Sequence, residues 1–210
     1  MLENVEVLCH SSIRIVKEKT IYIDPFRTEK EYNDADVIFI THDHWDHYSE
    51  EDINKVRKEA TVIVIPKDIK NKAMENGFEE GNICIVEPDR EYEVAGIKFE
   101  TVPAYNTNKK FHPKEIGWIG YIVELDAARY YIAGDTDINE SNKKVKCDVA
   151  LVPVGGTYTM TAKEAAELIN EIKPKVAVPT HYGAIVGEKE NGLEFVELLN
   201  PEINGIILIK

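Results

Sequence analysis

His42-Asp43-His44-Trp45-Asp46-His47 gathers three imidazoles and two carboxylates into six consecutive residues. His42 and His44 stand two apart, a spacing that sets both rings on one side of an extended backbone, where a single cation can meet them. Asp46 and His47 come just before Ser49, a helix-capping residue type, so the chain turns there and can aim them at a second position nearby. Imidazole combined with carboxylate suits Zn2+, and also Ni2+, Mn2+ or Fe2+. Trp45 and Asp43 should face elsewhere. A lone His-x-His is often ordinary surface or core, but this run of donors has no structural purpose that apolar or neutral polar residues would not serve better. One or two metal ions, and a water activated by them, are the chemistry it points to.

Positioning such a run requires a buried strand that ends at Thr41, and the sequence supplies one twice. Residues around Arg14 to Asp24 and from Gly120 to Asp135 each read as a hairpin whose second strand ends on an aspartate. An apolar strand opened by Asp-Val follows each, from Asp36 and from Asp148. A capping-box pattern then opens a helix in each half, Ser49 with Asp52 and Thr161 with Glu164. Ile53, Val56 and Ala60 in the first helix, and Ala165, Leu168, Ile169 and Ile172 in the second, form one apolar face apiece. Short strands ending at Pro66 and Pro179 close the halves, and the separation between matching elements drifts by only one residue per element. Four elements in the same order at nearly constant spacing predict a duplicated unit. Continuous apolar strands predict that both sheet faces are covered, so the expected α/β fold is a four-layer α/β/β/α sandwich with internal duplication. ICIVEP, the hairpin turning near Ala95-Gly96, and GIILIK at the C-terminus are expected to add antiparallel strands.

The 210 residues suit one domain spanning 1–210, and 43% hydrophobic with 30% charged residues is ordinary globular composition. There is no apolar run of the ~18 residues that a bilayer crossing requires. The start, Met1 to Glu6, is acidic where a secretory signal is basic, so a cytoplasmic protein without membrane insertion is expected. Cys9, Cys84 and Cys147 form neither a disulfide framework nor a thiolate zinc pattern. A net charge of −13 disfavours nucleic acid as a partner and leaves a small-molecule substrate as the expectation. Lys109, Lys110 and Lys114 gather in one loop of this acidic chain and point to an anionic substrate such as a phosphorylated sugar lactone or a phosphodiester. Glutamine is absent and charge comes mainly from Lys and Glu, a bias of proteins from hot environments.

The donor run after a strand, within a duplicated chain, resembles the metallo-β-lactamase superfamily over nearly the whole length. It is most similar to the branch of ascorbate-6-phosphate lactonase and the phospholipase D acting on N-acyl phosphatidylethanolamine. Cys9-His10-Ser11-Ser12 resembles that branch's opening Gly-His segment, Ile23-Asp24-Pro25 its Asp-Pro, and Gly134-Asp135-Thr136 the Gly-Asp-Thr bearing a bridging aspartate. His181, in Pro179-Thr180-His181-Tyr182-Gly183, resembles the family's last ligand. The resemblance implies a first metal position at His42 and His44, a second at Asp46, His47 and His181, and Asp135 between them. It also implies that His10 lines the site and that Asp24 orients a ligand histidine. Where the family has a third histidine for the first position, this chain has Asn106; its amide oxygen or His112, six residues on, could complete the shell, or His112 is a plain loop histidine and the first position stays open. The implied activity is hydrolysis of an ester, lactone or phosphoester by metal-activated hydroxide. Asp46 orients the hydroxide, and His10, Tyr158 and Tyr182 are candidates for protonating the leaving group or binding substrate. A metal-binding module without turnover and a diiron oxidoreductase on the same fold are the alternatives.

Overall fold

In a computed structural model, which describes residues 1–209, three antiparallel strands come first: β1 (Val5–Cys9), β2 (Ser12–Val16) and β3 (Thr20–Ile23). The next strands run parallel, each reached by a crossover: β4 (Ala35–Phe39), then helix α1 (Glu50–Val56) and β5 (Arg57–Pro66), then α2 (Lys70–Glu75) and β6 (Ile83–Val86). A second sheet begins with the hairpin β7 (Glu91–Val94) and β8 (Ile97–Pro103), and continues antiparallel through β9 (Ile119–Leu125) and β10 (Ala128–Ile132). It ends in parallel strands: β11 (Val149–Pro153), then α3 (Ala162–Ile172), β12 (Val176–Thr180), α4 (Glu190–Glu197) and β13 (Asn204–Gly205).

The sheets have strand orders β1-β2-β3-β4-β5-β6 and β13-β12-β11-β10-β9-β8-β7. From β1 to β6 the pairings run antiparallel, antiparallel, parallel, parallel, parallel, and from β8 to β13 the sequence of senses is the same. The duplication therefore covers six strands per copy, more than the four matched elements legible in the sequence.

Alternation along the strands builds the layers. Val37 and Phe39 of β4 point inward and share one cluster with Tyr121, Val123 and Leu151 of the other sheet. Ile38 and Ile40 point outward onto Ile53 and Val56 of α1 and Ala73 of α2. On the far side Ala150 and Val152 meet Ala165, Leu168 and Ile169 of α3 and Phe195 of α4. This is the expected α/β/β/α sandwich. Thr161 makes the full capping box with Glu164, and Ser49 accepts from the Asp52 amide, so both helices start where the caps dictate. Among the described residues no helix is long and apolar enough to cross a membrane.

Three details correct the sequence reading. β6 and β13 pair parallel to their neighbours, as copies of one repeat must, and β13 ends at Gly205, so the strand expected over GIILIK is not formed at 206–209; Lys210 lies outside the described residues. Ala60 is not on the first helix but exposed at the start of β5. The cause is local: Thr61 Oγ1 accepts from the Lys58 amide at 2.8 Å, capturing a donor that a longer helix would need for its own ladder.

Because β1, β3, β4 and β5 run one way, and β8, β10 and β12 are their counterparts, the segments carrying His10, Asp24, His42–His47, Asn106–His112, Asp135 and His181 all leave strand C-termini. Both sheets present those ends on the same rim.

Candidate metal centre

The strand end of β4 is fixed first. Asp24, just past β3, accepts from the Thr41 amide at 2.8 Å and from its hydroxyl at 2.7 Å, and takes His47 Nδ1 at 2.7 Å. The hydroxyl of Thr41 also lies 2.9 Å from His42 Nδ1. These partners engage the Nδ1 side of His42 and His47 and turn Nε2 into the cluster, the orientation metal-binding histidines need from their surroundings. Asp24 thus stands against His47 Nδ1, the place from which the resemblance implies that it would orient a ligand histidine.

Three imidazoles gather on one side. His42 Nε2 and His44 Nδ1 stand 3.1 Å apart, and His112 joins them, with ligand atoms of all three within 4.8 Å of one another. His112 reaches this place because Asn106 folds the loop after β8 back on itself. The Asn106 amide donates to the His112 carbonyl at 2.8 Å, while Asn106 Oδ1 accepts from the His112 amide at 3.1 Å and lies 2.9 Å from His112 Nδ1. The carboxamide oxygen of Asn106 is therefore spent on His112, and His112 Nε2 points into the cluster, 3.4 Å from Asp135 Oδ2. Asn106 is itself tied to the Tyr158 carbonyl at 3.0 Å.

A second group forms beside it from His10, Asp46, His47 and His181, again with ligand atoms within 4.8 Å of one another. His10 Nε2 is 3.3 Å from Asp46 Oδ2. Asp135 stands between the groups: its Oδ2 is 3.1 Å from His181 Nε2 and its Oδ1 is 3.4 Å from His47 Nε2. The His181 amide donates to the His10 carbonyl at 3.0 Å, joining the end of one copy's β1 segment to the end of the other's β12.

The fit of this arrangement to a cation rests on atoms without partners. His10 Nδ1 and Nε2, His47 Nε2, His112 Nε2, His181 Nδ1 and Nε2, and Asp135 Oδ1 are all buried and hydrogen-bonded to nothing. Each such group costs free energy if left unsatisfied. Two nitrogens on one tetrahedral zinc lie ~3.3 Å apart for bonds of about 2.05 Å, and separations of 3.1 to 3.4 Å recur through the cluster.

The charge state suits a cation as well. Burial pushes His10 and His112 down to about 4 and holds His42 and His44 below their ordinary value, so these rings are neutral donors at pH 7. Burial disfavours charge on Asp135 and Asp46, yet the imidazoles facing them outweigh it and hold both below the usual carboxylate range. His47 differs: burial lowers it, but Asp135 and Asp24 outweigh that and lift it to about 9.

Other expected residues lie elsewhere. Tyr182 is packed in the outer apolar cluster with Phe195, against Gly192, so its ring lies in the helix layer and not among the donors, a structural place rather than a catalytic one. His10 stands behind Asp46 and does not border the cavity over the cluster. Asp43 pairs with Lys72 and faces away, while Trp45 turns from the donors onto Phe26 and borders that cavity. Lys109 is paired with buried Asp137, Lys114 sits 5.0 Å over the Tyr105 ring, and neither these nor Lys110 borders the cavity. Sequence reasoning missed Trp118. Its ring is 4.9 Å from both His42 and His44, and its indole N–H donates to Asp68 at 2.8 Å, making it a wall behind the first three imidazoles.

A family model for the β-lactamase superfamily domain matches residues 4–181. The chain belongs to the β-lactamase superfamily. Within that superfamily it is 33% identical to a UPF0173 metal-dependent hydrolase of Thermococcus onnurineus, over 97% of this chain and 95% of that one. A crystal structure of a Parabacteroides distasonis protein superposes with a TM-score of 0.84 at 31% identity, covering 98% of this chain and 93% of the other. Igni18, a metallo hydrolase of the archaeon Ignicoccus hospitalis, shares the superfamily fold with a TM-score of 0.76 at 22% identity, covering 98% and 95% of the two chains.

Proposed function

We propose that this superfamily member is a metal-dependent hydrolase of a small-molecule ester, lactone or phosphoester, with Zn2+ as the fitting ion. His42, His44 and His112 would hold one position, Asp46, His47 and His181 the other, and Asp135 would serve both. The observation that carries this reading is the set of buried, unpartnered imidazole nitrogens converging on Asp135 from both copies of the repeat. The name shared by its metal-dependent hydrolase relatives supports it.

A divalent cation bound there lowers the pKa of water towards neutrality and stabilises negative charge on a substrate oxygen. The chain's own groups do the rest. Asp46, ionised and held from behind by His10, orients the attacking water and takes up its proton. Asp46 then returns that proton to the leaving oxygen, while His10, 3.3 Å behind it and outside the cavity, helps to fix the carboxylate's position. Trp118 and Asn106 keep His42, His44 and His112 in place, so little reorganisation accompanies turnover. A binder without turnover would be favoured by a first position short of a third imidazole, and His112 beside His42 and His44 weighs against that.

Counting metal per chain tests the assignment. His112→Ala should lose an ion, and Asn106→Ala should weaken its binding by about 10-fold to 100-fold, as loss of an orienting partner does. Full stoichiometry and unchanged affinity in His112→Ala would remove it from the shell.

Metal uptake should also depend on pH. With a metal-free value of about 9, His47 carries a proton at pH 7 that a cation must displace from Nε2. Apparent affinity should therefore rise by roughly tenfold per pH unit up to about 9 and level off above it. A titration in which zinc affinity is flat between pH 6 and 9 would contradict this.

A further inference from the structure

Above the donor cluster lies a cavity of about 260 Å³ whose floor is the cluster itself and whose wall is Trp45, Phe111, Tyr158 and Ile185. The three rings are exposed, Trp45 by 62%, Phe111 by 47% and Tyr158 by 37%, so a large share of apolar surface faces water around one small opening. They are braced rather than loose. Phe111 meets Tyr158 edge to face with centroids 4.7 Å apart, and Trp45 meets Phe26 the same way at 5.4 Å. Charge is distributed in the opposite sense: among the described residues no lysine or arginine borders the cavity, and its acidic side chains are Asp46 and Asp135. Several nearby cations are engaged elsewhere, Lys109 by Asp137, Lys72 by Asp43, Lys114 over Tyr105 and Arg27 over Phe26, and the exposed Lys110 does not border the cavity.

We infer that the substrate is a small, neutral ester, lactone or thioester bearing an aryl or short branched alkyl group, which the three rings grip while its carbonyl faces the donor cluster. This rests on the hydrolase reading above and narrows it. With the carbonyl facing the metal positions, an additional anionic group would find no cationic side chain on the wall among the described residues, whereas an apolar group covers the exposed rings and gains their burial. The size sets a limit. Pockets for drug-sized ligands run from about 300 Å³ upward, so one ring or a short branched chain is as much as this one accepts.

Hydroxamates, which chelate zinc and carry a variable side group, give a readout independent of turnover. Calorimetric titration of the zinc-loaded full chain should show benzohydroxamate binding at least ~10-fold more tightly than acetohydroxamate, and 4-carboxybenzohydroxamate at least ~10-fold more weakly than benzohydroxamate. Trp45→Ala and Phe111→Ala should each reduce the phenyl preference. Equal affinity for the phenyl and methyl probes in the unaltered protein, or tighter binding of the carboxylated one, overturns the proposal. Failure of every hydroxamate to bind overturns the metal reading together with it. If the phenyl preference holds but no ester, lactone, thioester or phosphoester is turned over, the ligand class stands and the hydrolytic reading falls.

Discussion

Asp135→Asn is expected to reduce hydrolysis by at least ~10³-fold and to lower the number of zinc ions retained per chain. The substitution is nearly isosteric, so its effect is electrostatic. Asp135 is buried and ionised, and its two oxygens stand 3.1 to 3.4 Å from the Nε2 atoms of His47, His112 and His181. An amide keeps one acceptor but removes the negative charge that the two proposed metal positions would share, and it would turn an N–H towards one of them. With the carboxylate gone, a cation in a buried nest of neutral rings loses one of its two nearby countercharges, Asp46 being the other. Metal analysis and kcat/KM on any accepted ester check this together. Full metal content with unchanged turnover would show that Asp135 is a structural acid and not a shared ligand.

The second large effect is expected at a residue with no functional group. Gly155 lies just past β11, and a Cβ built there would sit well inside contact distance of the His181 carbonyl oxygen and 3.0 Å from Val186. Backbone yields less readily than a side chain end, so Gly155→Ala must push His181 and the β12 terminus away from β11. Overpacking of this kind costs ~1 to 3 kcal/mol, and the upper end is expected here. The same shift draws on the link from the His181 amide to the His10 carbonyl, so both histidines of the second group move. Denaturant unfolding of the metal-free protein should show a lower midpoint at unchanged slope, and zinc affinity should fall although no donor has been touched. A variant with native stability and native zinc affinity would refute the packing argument.

How much of this could be read from the chain depended on whether the information was local. Strand ends, helix caps and the hairpin at Ala95-Gly96 were legible because turn and capping chemistry is written in adjacent residues. Strand direction is not, and ICIV carries the same apolar signal whether it pairs parallel or antiparallel. The repeat would have settled it, since β6 and β13 are equivalent positions of one pattern.

The cluster shows the same division. His42, His44, Asp46 and His47 announce themselves by spacing, whereas the choice between Asn106 and His112 rests on contacts far along the sequence. Asn106 is held by the Tyr158 carbonyl, 52 positions away, and the amide of Thr107 by Asp137, 30 positions away. The same Asp137 takes Lys109 out of the site's electrostatics. Loop lysines on paper suggested an anionic ligand, and a buried aspartate that no motif identified had already claimed one of them.

The division of donors between the two copies bears on how the site comes into being during synthesis. His10, His42, His44, Asp46 and His47 belong to the first copy and leave the ribosome early, while Asp135 and His181 arrive only as β10 and β12 are made. A nascent chain therefore exposes histidines that have neither their shared carboxylate nor their closing ring, and it can hold a cation only loosely. On the proposed assignment, firm capture would wait until the second sheet has docked on the first, so a tightly bound metal would certify that translation and folding are both complete.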